Sequence, residues 1–229
     1  MGNRIPPALV AQADTFVALR RDLHRHPELG FEELRTSALV AEKLSEWGYA
    51  VTRGLGGTGV VGQLRRGTGQ RRLGLRADMD ALPITEATGL LHASCHAGLM
   101  HACGHDGHTA MLLAAAQYFS QHRHFDGTVY LIFQPAEEIG KGAELCRSLI
   151  KEKHIGEIYG FHNIPGKSLG TVLVKDGTFA CASTGLEIHM TGTPSHAAYP
   201  EAGRNPGYAL AGLLLQIEEL TEQFNETKG

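Results

Sequence analysis

The sequence predicts an α/β fold, a largely parallel central sheet with helices packed around it. Three observations carry this. Residues 60–64, 73–77, 128–133 and 158–162 form short apolar runs of strand length. Segments with apolar residues at helical spacing alternate with those runs. Polar residues capable of chemistry follow directly after three of the four strands, where open α/β sheets gather their ligands.

Along the chain, residues 9–23 place Val10, Ala13 and Val17 on one helical face. Residues 34–47 do the same with Leu34, Ala38, Ala41, Leu44 and Trp47, and Gly48 supplies the C-terminal stop. Strands 60–64 and 73–77 flank a turn at Gly67-Thr68-Gly69. A strongly apolar helix is expected over 109–119, a buried strand over 128–133, a helix over 143–150 and a strand over 158–162. Beyond about Ser183 the pattern changes. Residues 185–190 alternate like a half-exposed strand, a Gly/Pro/Ser-rich loop follows, and 206–224 is helical. The expected organisation is a catalytic domain over 1–182 and the beginning of a second, α+β domain over 183–229, too small to stand alone.

With 229 residues, 42% hydrophobic and 20% charged, the chain can bury a sizeable core, and its composition is that of an ordinary globular protein. A formal charge of −3 offers no basic field, which argues against a nucleic-acid partner. Residues 1–9 hold two prolines and an arginine without an apolar run, and no stretch approaches the roughly 20 apolar residues of a membrane span. A cytoplasmic location and no membrane partner are therefore expected. The four cysteines (Cys95, Cys103, Cys146, Cys181) make no C-x-x-C pair and are expected as free thiols or metal ligands. Of the 13 histidines, five fall between His92 and His108, a density that favours a metal or catalytic role over scattered surface placement.

The densest motif is His101-Ala102-Cys103-Gly104-His105-Asp106-Gly107-His108. Cys103 and His105, two residues apart in a turn, can reach one ion, and thiolate with imidazole suits zinc, cobalt or a similar borderline metal. Gly104 and Gly107 would let the backbone fold closely around it. Asp78-Met79-Asp80, Gln134-Pro135-Ala136-Glu137-Glu138 and His162-Asn163 follow predicted strands. Neighbouring side chains diverge, so Glu137 and Glu138 suit a division of labour: Glu138 as ligand, Glu137 as general base toward the attacking water. The plainer alternative, an exposed acidic pair, is weakened by the apolar strand and Pro135 just before it.

Together these segments resemble the aminoacylase/carboxypeptidase family of metallohydrolases, in the branch of hippurate hydrolase, N-acyl-amino-acid amidohydrolases and auxin-conjugate hydrolases. The resemblance runs from Arg21-Asp22-Leu23-His24-Arg25-His26-Pro27-Glu28-Leu29 through Leu75-Arg76-Ala77-Asp78-Met79-Asp80-Ala81-Leu82-Pro83. It continues over the Cys103 turn, Gln134-Pro135-Ala136-Glu137-Glu138 and Gly160-Phe161-His162-Asn163, and ends at Gly192-Thr193-Pro194-Ser195-His196-Ala197-Ala198. It implies a zinc-peptidase-like catalytic domain with a partial lid and dimerisation domain. Two divalent ions (Zn, Mn, Co or Ni) would be bridged by Cys103, one held by Glu138 and the other by His105 and His162. Glu137 would be the base. Asp78 would orient a ligand; the metal-binding histidine that relatives carry two positions before it is Arg76 here, with His105 standing in. His196 would stabilise the oxyanion in a partner subunit's site, and Asn205 would assist substrate binding.

The implied reaction is hydrolysis of the amide of an N-acyl amino acid, in a homodimer or homotetramer built through the lid. Relatives of this kind continue past the equivalent of Gly229 with the rest of the lid and one more metal-binding histidine. The chain is therefore expected to be C-terminally truncated, with a dipeptidase or carboxypeptidase of the same family, or a non-catalytic metal-binding remnant, as the alternatives.

Overall fold

The computed structural model describes residues 5–122, 124–178, 180 and 185–226. They form two compact units, Met1–Lys167 and Ser168–Gly229.

In the first unit, α1 (Pro7–Ala11) and α2 (Ala13–Arg25) precede α3 (Leu34–Glu46), β1 (Ala50–Leu55), β2 (Gly59–Arg66) and β3 (Arg72–Asp78). Then come α4 (His105–Gln121), β4 (Gly127–Gln134), α5 (Gly142–Glu152) and β5 (Glu157–Gly160). The sheet order is β1-β2-β4-β3-β5. β3 pairs in parallel with both β4 and β5, β2 is antiparallel to β4, and β1 is antiparallel to β2. Four of the five strands therefore point the same way and β2 alone opposes them, the mostly parallel sheet that the apolar runs predicted.

β4 is the middle of the sheet and is buried at every residue. Its pleat sends alternate side chains to opposite faces. Val129, Leu131 and Phe133 join Val40, Leu44, Met79 and Leu113 in the larger core beneath α3 and α4. Tyr130 and Ile132 join Val61, Leu149 and Ile155 beneath α5. Each fully buried aliphatic or aromatic side chain here contributes about 1.5–3 kcal/mol. Helices on both faces thus leave the strand ends as the open edge of the layers.

Several expected elements differ in detail. The helix expected over 9–23 is broken at Gln12, whose backbone (φ −106°, ψ 2°) is no longer helical. β1 had no counterpart in the sequence reading, because Ala50–Leu55 is half-exposed and carries Thr52, Arg53 and Gly54 in place of an apolar run. α4 starts four residues earlier than its apolar stripe, so His105 and His108 stand on its first turn instead of in a free turn. β5 ends at Gly160, leaving His162 in the loop beyond it.

In the second unit, α6 (Pro206–Glu226) forms as expected. The alternating segment 185–190 does not pair as a strand; the only bridge in this unit among the described residues joins Thr193 to Arg204. Alternation makes a strand only when a neighbour completes the ladder, and the described residues of this unit supply none. Cys181 and the expected boundary at 182/183 lie outside the described residues. Cys95, Cys103 and Cys146 are free thiols. No described helix is long and apolar enough to cross a membrane.

Candidate metal centre

The parallel strands β3, β4 and β5 end side by side, and the residues just past their ends meet the N-terminus of α4. β3 delivers Asp78 and Asp80, β4 delivers Glu137 and Glu138, and β5 delivers His162 and Asn163. Gly104 caps α4 in the left-handed region (φ 90°), a conformation that costs glycine nothing. A side chain there would also meet the Asn163 amide at 2.6 Å. Gly107 lies inside the helix with open space around it, so the freedom expected of it is not used.

Ligand atoms of Cys103, His105 and His162 all lie within 4.8 Å of one another, as do those of His105, Glu137 and Glu138. His105 is the shared member and is fully buried. Its Nδ1 donates to the Asp80 carbonyl at 2.9 Å. A carbonyl can only accept, so Nδ1 carries the proton and Nε2 presents a lone pair. That nitrogen faces Glu137 Oε2 and Glu138 Oε1, each at 3.8 Å. His162 is fixed in the same sense: Nδ1 donates to the Asn163 carbonyl at 2.8 Å, leaving Nε2 3.4 Å from Cys103 Sγ.

His105 Nε2 and Glu138 Oε1 are buried without a hydrogen-bond partner. Such orphans are costly, and here they aim electron pairs at the same space as two other carboxylate and sulfur donors. The Cys103 thiol carries the one hydrogen among these donors, too few for all of them, and a cation displacing that proton would satisfy them together. Sulfur, imidazole nitrogen and carboxylate oxygen are the donor set of zinc and its neighbours, so the residues fit the metal ions that the resemblance implies.

The electrostatics agree. Burial and then the carboxylates of Glu138, Glu137 and Asp78 push the Cys103 thiol up to about 12. Burial likewise raises Glu138, with His105 partly offsetting it. For His105 burial favours the neutral ring, but the Asp80 contact and the surrounding carboxylates outweigh it and raise the pKa. Burial dominates the first two shifts, and the surrounding carboxylates add to the Cys103 shift and decide that of His105.

Asp78 is engaged elsewhere. Burial would raise its pKa, but the His108 hydrogen bond and the Arg76 charge hold it at about 2. His108 Nδ1 donates to Asp78 Oδ1 at 2.6 Å, and Arg76 Nη1 pairs with Oδ2 at 2.7 Å. His105 Nε2 is farther, at 3.7 Å. The direct partner of Asp78 is thus His108, a residue to which the sequence reading gave no role, and not the stand-in His105. Its signal was present: His108 lies three residues after His105, hence on the same helical face. The Asn163 backbone N–H donates to His108 Nε2 at 3.1 Å, and its side-chain amide touches the same nitrogen at 2.7 Å. Asp78, His108 and Asn163 therefore link β3, α4 and the loop that carries His162.

His196 and Asn205 belong to the second unit. His196 is exposed, with Nδ1 accepting the Ala198 N–H at 3.1 Å. Asn205 precedes α6, its Oδ1 accepting the Gly207 N–H at 2.9 Å as an N-terminal cap.

Residues 74–227 match the model of "Peptidase family M20/M25/M40". The chain is 41% identical over 223 residues to the hippurate hydrolase of Campylobacter jejuni, covering 96% of this chain and 58% of that protein. It is 42% identical over 212 residues to the IAA-amino acid hydrolase ILR1-like 2 of Arabidopsis thaliana, covering 92% and 48% respectively. The chain thus spans about half the length of the curated relatives it matches. Among solved structures, a Bacillus subtilis dinuclear metal binding peptidase from the M20 family superposes with a TM-score of 0.67 at 40% identity, covering 73% of this chain and 48% of that one.

Proposed function

Because the chain belongs to peptidase family M20/M25/M40, we propose that the protein carrying it hydrolyses the amide bond of N-acyl amino acids. Hippurate-like and N-acetyl amino acids are the substrate class; the names of the two relatives, a hippurate hydrolase and an IAA-amino acid hydrolase, support an N-acyl amino acid. The observation that carries the reading is the convergence of Cys103, His105, Glu138 and His162 just past three strand ends, with His105 Nε2 and Glu138 Oε1 buried and without a hydrogen-bond partner.

Cys103 would bridge two divalent ions, Glu138 holding one, and His105 and His162 the other. When bound, such ions polarise the amide carbonyl and lower the pKa of water toward neutrality. The remaining steps fall to the chain. Glu137, 40% exposed and beside His105, is the most solvent-open carboxylate of the group, Glu138 being 17% exposed. It accepts the proton of the attacking water and returns it to the departing amine nitrogen, so no covalent intermediate is needed. Asp80 and the Asn163 carbonyl hold the two imidazoles in the tautomers that leave Nε2 free. Asp78, neutralised by Arg76, holds His108 and through it the His162 loop.

We assign residues 1–182 to the catalytic domain and 183–229 to the start of a lid and dimerisation domain. His196 stabilises the oxyanion in a partner's site and Asn205 contacts substrate. The protein is taken to be cytoplasmic and to work as a homodimer or homotetramer. The test is release of free amino acid from hippurate and a panel of N-acetyl amino acids, before and after chelation and metal return. Metal-dependent release supports the proposal; no release from any member in the metal-loaded protein rejects it.

A further inference from the structure

Glu33 lies 103 residues before Ala136, on the N-terminal cap position of α3, and is fully buried. No ion pair reaches its carboxylate among the described residues, a placement that charged groups rarely tolerate. Burial raises its pKa. Its two oxygens are committed instead to neutral donors: Oε2 accepts the Thr58 hydroxyl at 2.5 Å and Oε1 accepts the Ala136 N–H at 2.8 Å.

Ala136 is itself unusual. It is fully buried with φ 51°, in the left-handed region that residues with a Cβ avoid. Glu137 and Glu138 follow it directly. The same turn is gripped from the other side by Asp80, whose Oδ2 accepts the Glu138 N–H at 2.9 Å. The segment that leads into Glu33 presses on the turn too. Phe31 is left-handed as well (φ 69°), and a Cβ on Gly30 would stand 3.0 Å from Ala136 Cα. Strain of this kind persists only where surroundings over-determine it, and it collects at functional sites.

We propose that Glu33 is a positioning residue: its carboxyl group, tethered by Thr58, holds Ala136 in the left-handed turn that directs Glu137 toward the reacting water and Glu138 into the metal centre. The inference rests on the roles given to Glu137 and Glu138 above. It assigns a task to the otherwise unused Gly30-Phe31-Glu32-Glu33 segment, which touches no ligand atom of the centre.

The experiment is a double-mutant cycle in the protein that carries this chain. It combines Glu33→Ala with Ala136→Gly and adds Glu33→Gln as the conservative control, because glycine adopts φ 51° without strain and glutamine keeps an acceptor for the Ala136 N–H. The readouts are kcat and KM on hippurate, and Co(II) affinity by absorbance, with folding followed by near-UV circular dichroism. Glu33→Ala should lower kcat about a hundredfold with KM changed about threefold or less, as a misdirected base does. It should weaken Co(II) binding about tenfold. Glu33→Gln should stay within about threefold of the parent, and the kcat loss from Glu33→Ala should shrink to about tenfold in the Ala136→Gly background.

A loss of equal size in both backgrounds, or a Glu33→Ala protein with parental kcat and Co(II) affinity, overturns the proposal. If Glu33→Ala does not fold, Thr58→Val tests the tether, with a smaller loss of kcat at constant KM expected and no loss counting against it. Failure of the underlying reading looks different: the parent protein itself would bind no Co(II).

Discussion

Single side chains decide the chemistry here through which of their atoms are already committed. His105 and His162 each commit Nδ1 to a carbonyl, so each offers Nε2 inward, and Glu138 keeps Oε1 unbonded beside them. Glu137 differs by being partly open to solvent, which suits a group that must exchange a proton with water. Glu137→Gln should lower kcat by at least about a thousandfold, within the range attributed to a general base, while metal content measured by plasma emission stays at the parental level. Loss of metal along with activity would make Glu137 a ligand instead. His108 predicts a different outcome because both its ring nitrogens are engaged, Nδ1 with Asp78 and Nε2 with Asn163, although its ligand atoms also lie within 4.8 Å of those of Asp78 and His105. His108→Ala should weaken metal binding about tenfold to a hundredfold without abolishing it, measured by competition with a chromophoric chelator. Complete loss would instead place His108 among the ligands.

The elements matter because they bring sequence-distant residues to one edge. Strands β3 and β4 were legible as apolar runs, since burial and strand period leave a mark on the sequence, and β5 was legible from Ile158 and Tyr159 although all four of its residues are exposed; the motifs after all three were legible as candidates. β1 was not, because an edge strand that buries little needs no apolar pattern. The first turn of α4 was missed for a related reason: its residues are buried but polar (His105, Asp106, His108), so hydrophobic periodicity begins only after them. The pairing of Asp78 with His108 depends on that turn and was hidden with it. Gly104 is the hinge between strand ends and helix, and Gly104→Ala combines a left-handed backbone with a 2.6 Å contact on Asn163. It should destabilise the protein by about 1–3 kcal/mol in urea unfolding; an unchanged midpoint would contradict the geometry.

Toward the C-terminal end of α4, Tyr49 donates its hydroxyl to the Ala116 carbonyl at 2.8 Å, and burial pushes its pKa well above the ordinary tyrosine range. A raised pKa favours the protonated form in the folded state. The contribution is therefore complete below the unfolded value of about 10 and is lost as pH rises beyond it. Tyr49→Phe should cost about 1 kcal/mol at pH 7 and flatten the fall in stability above pH ~10. Parallel pH profiles for the two proteins would exclude this contribution.

For the whole molecule, the first unit is a layered α/β body whose strand ends concentrate Asp78, Asp80, Glu137 and Glu138 around two lone-pair imidazoles and a thiol. That charge is a standing cost in the absence of a cation, and binding to the folded state alone converts it into stability. The account's central claim is that Cys103, His105, Glu138 and His162 form one metal centre, and Co(II) titration of the protein carrying this chain tests it most directly. Cys103 is protonated at neutral pH, so binding should eject a proton and produce a near-ultraviolet sulfur-to-cobalt charge-transfer band. The account predicts that this band saturates in the parent and disappears in Cys103→Ser, while His105→Ala weakens it. A parent protein that shows no such band, or a band that survives in Cys103→Ser, would contradict it.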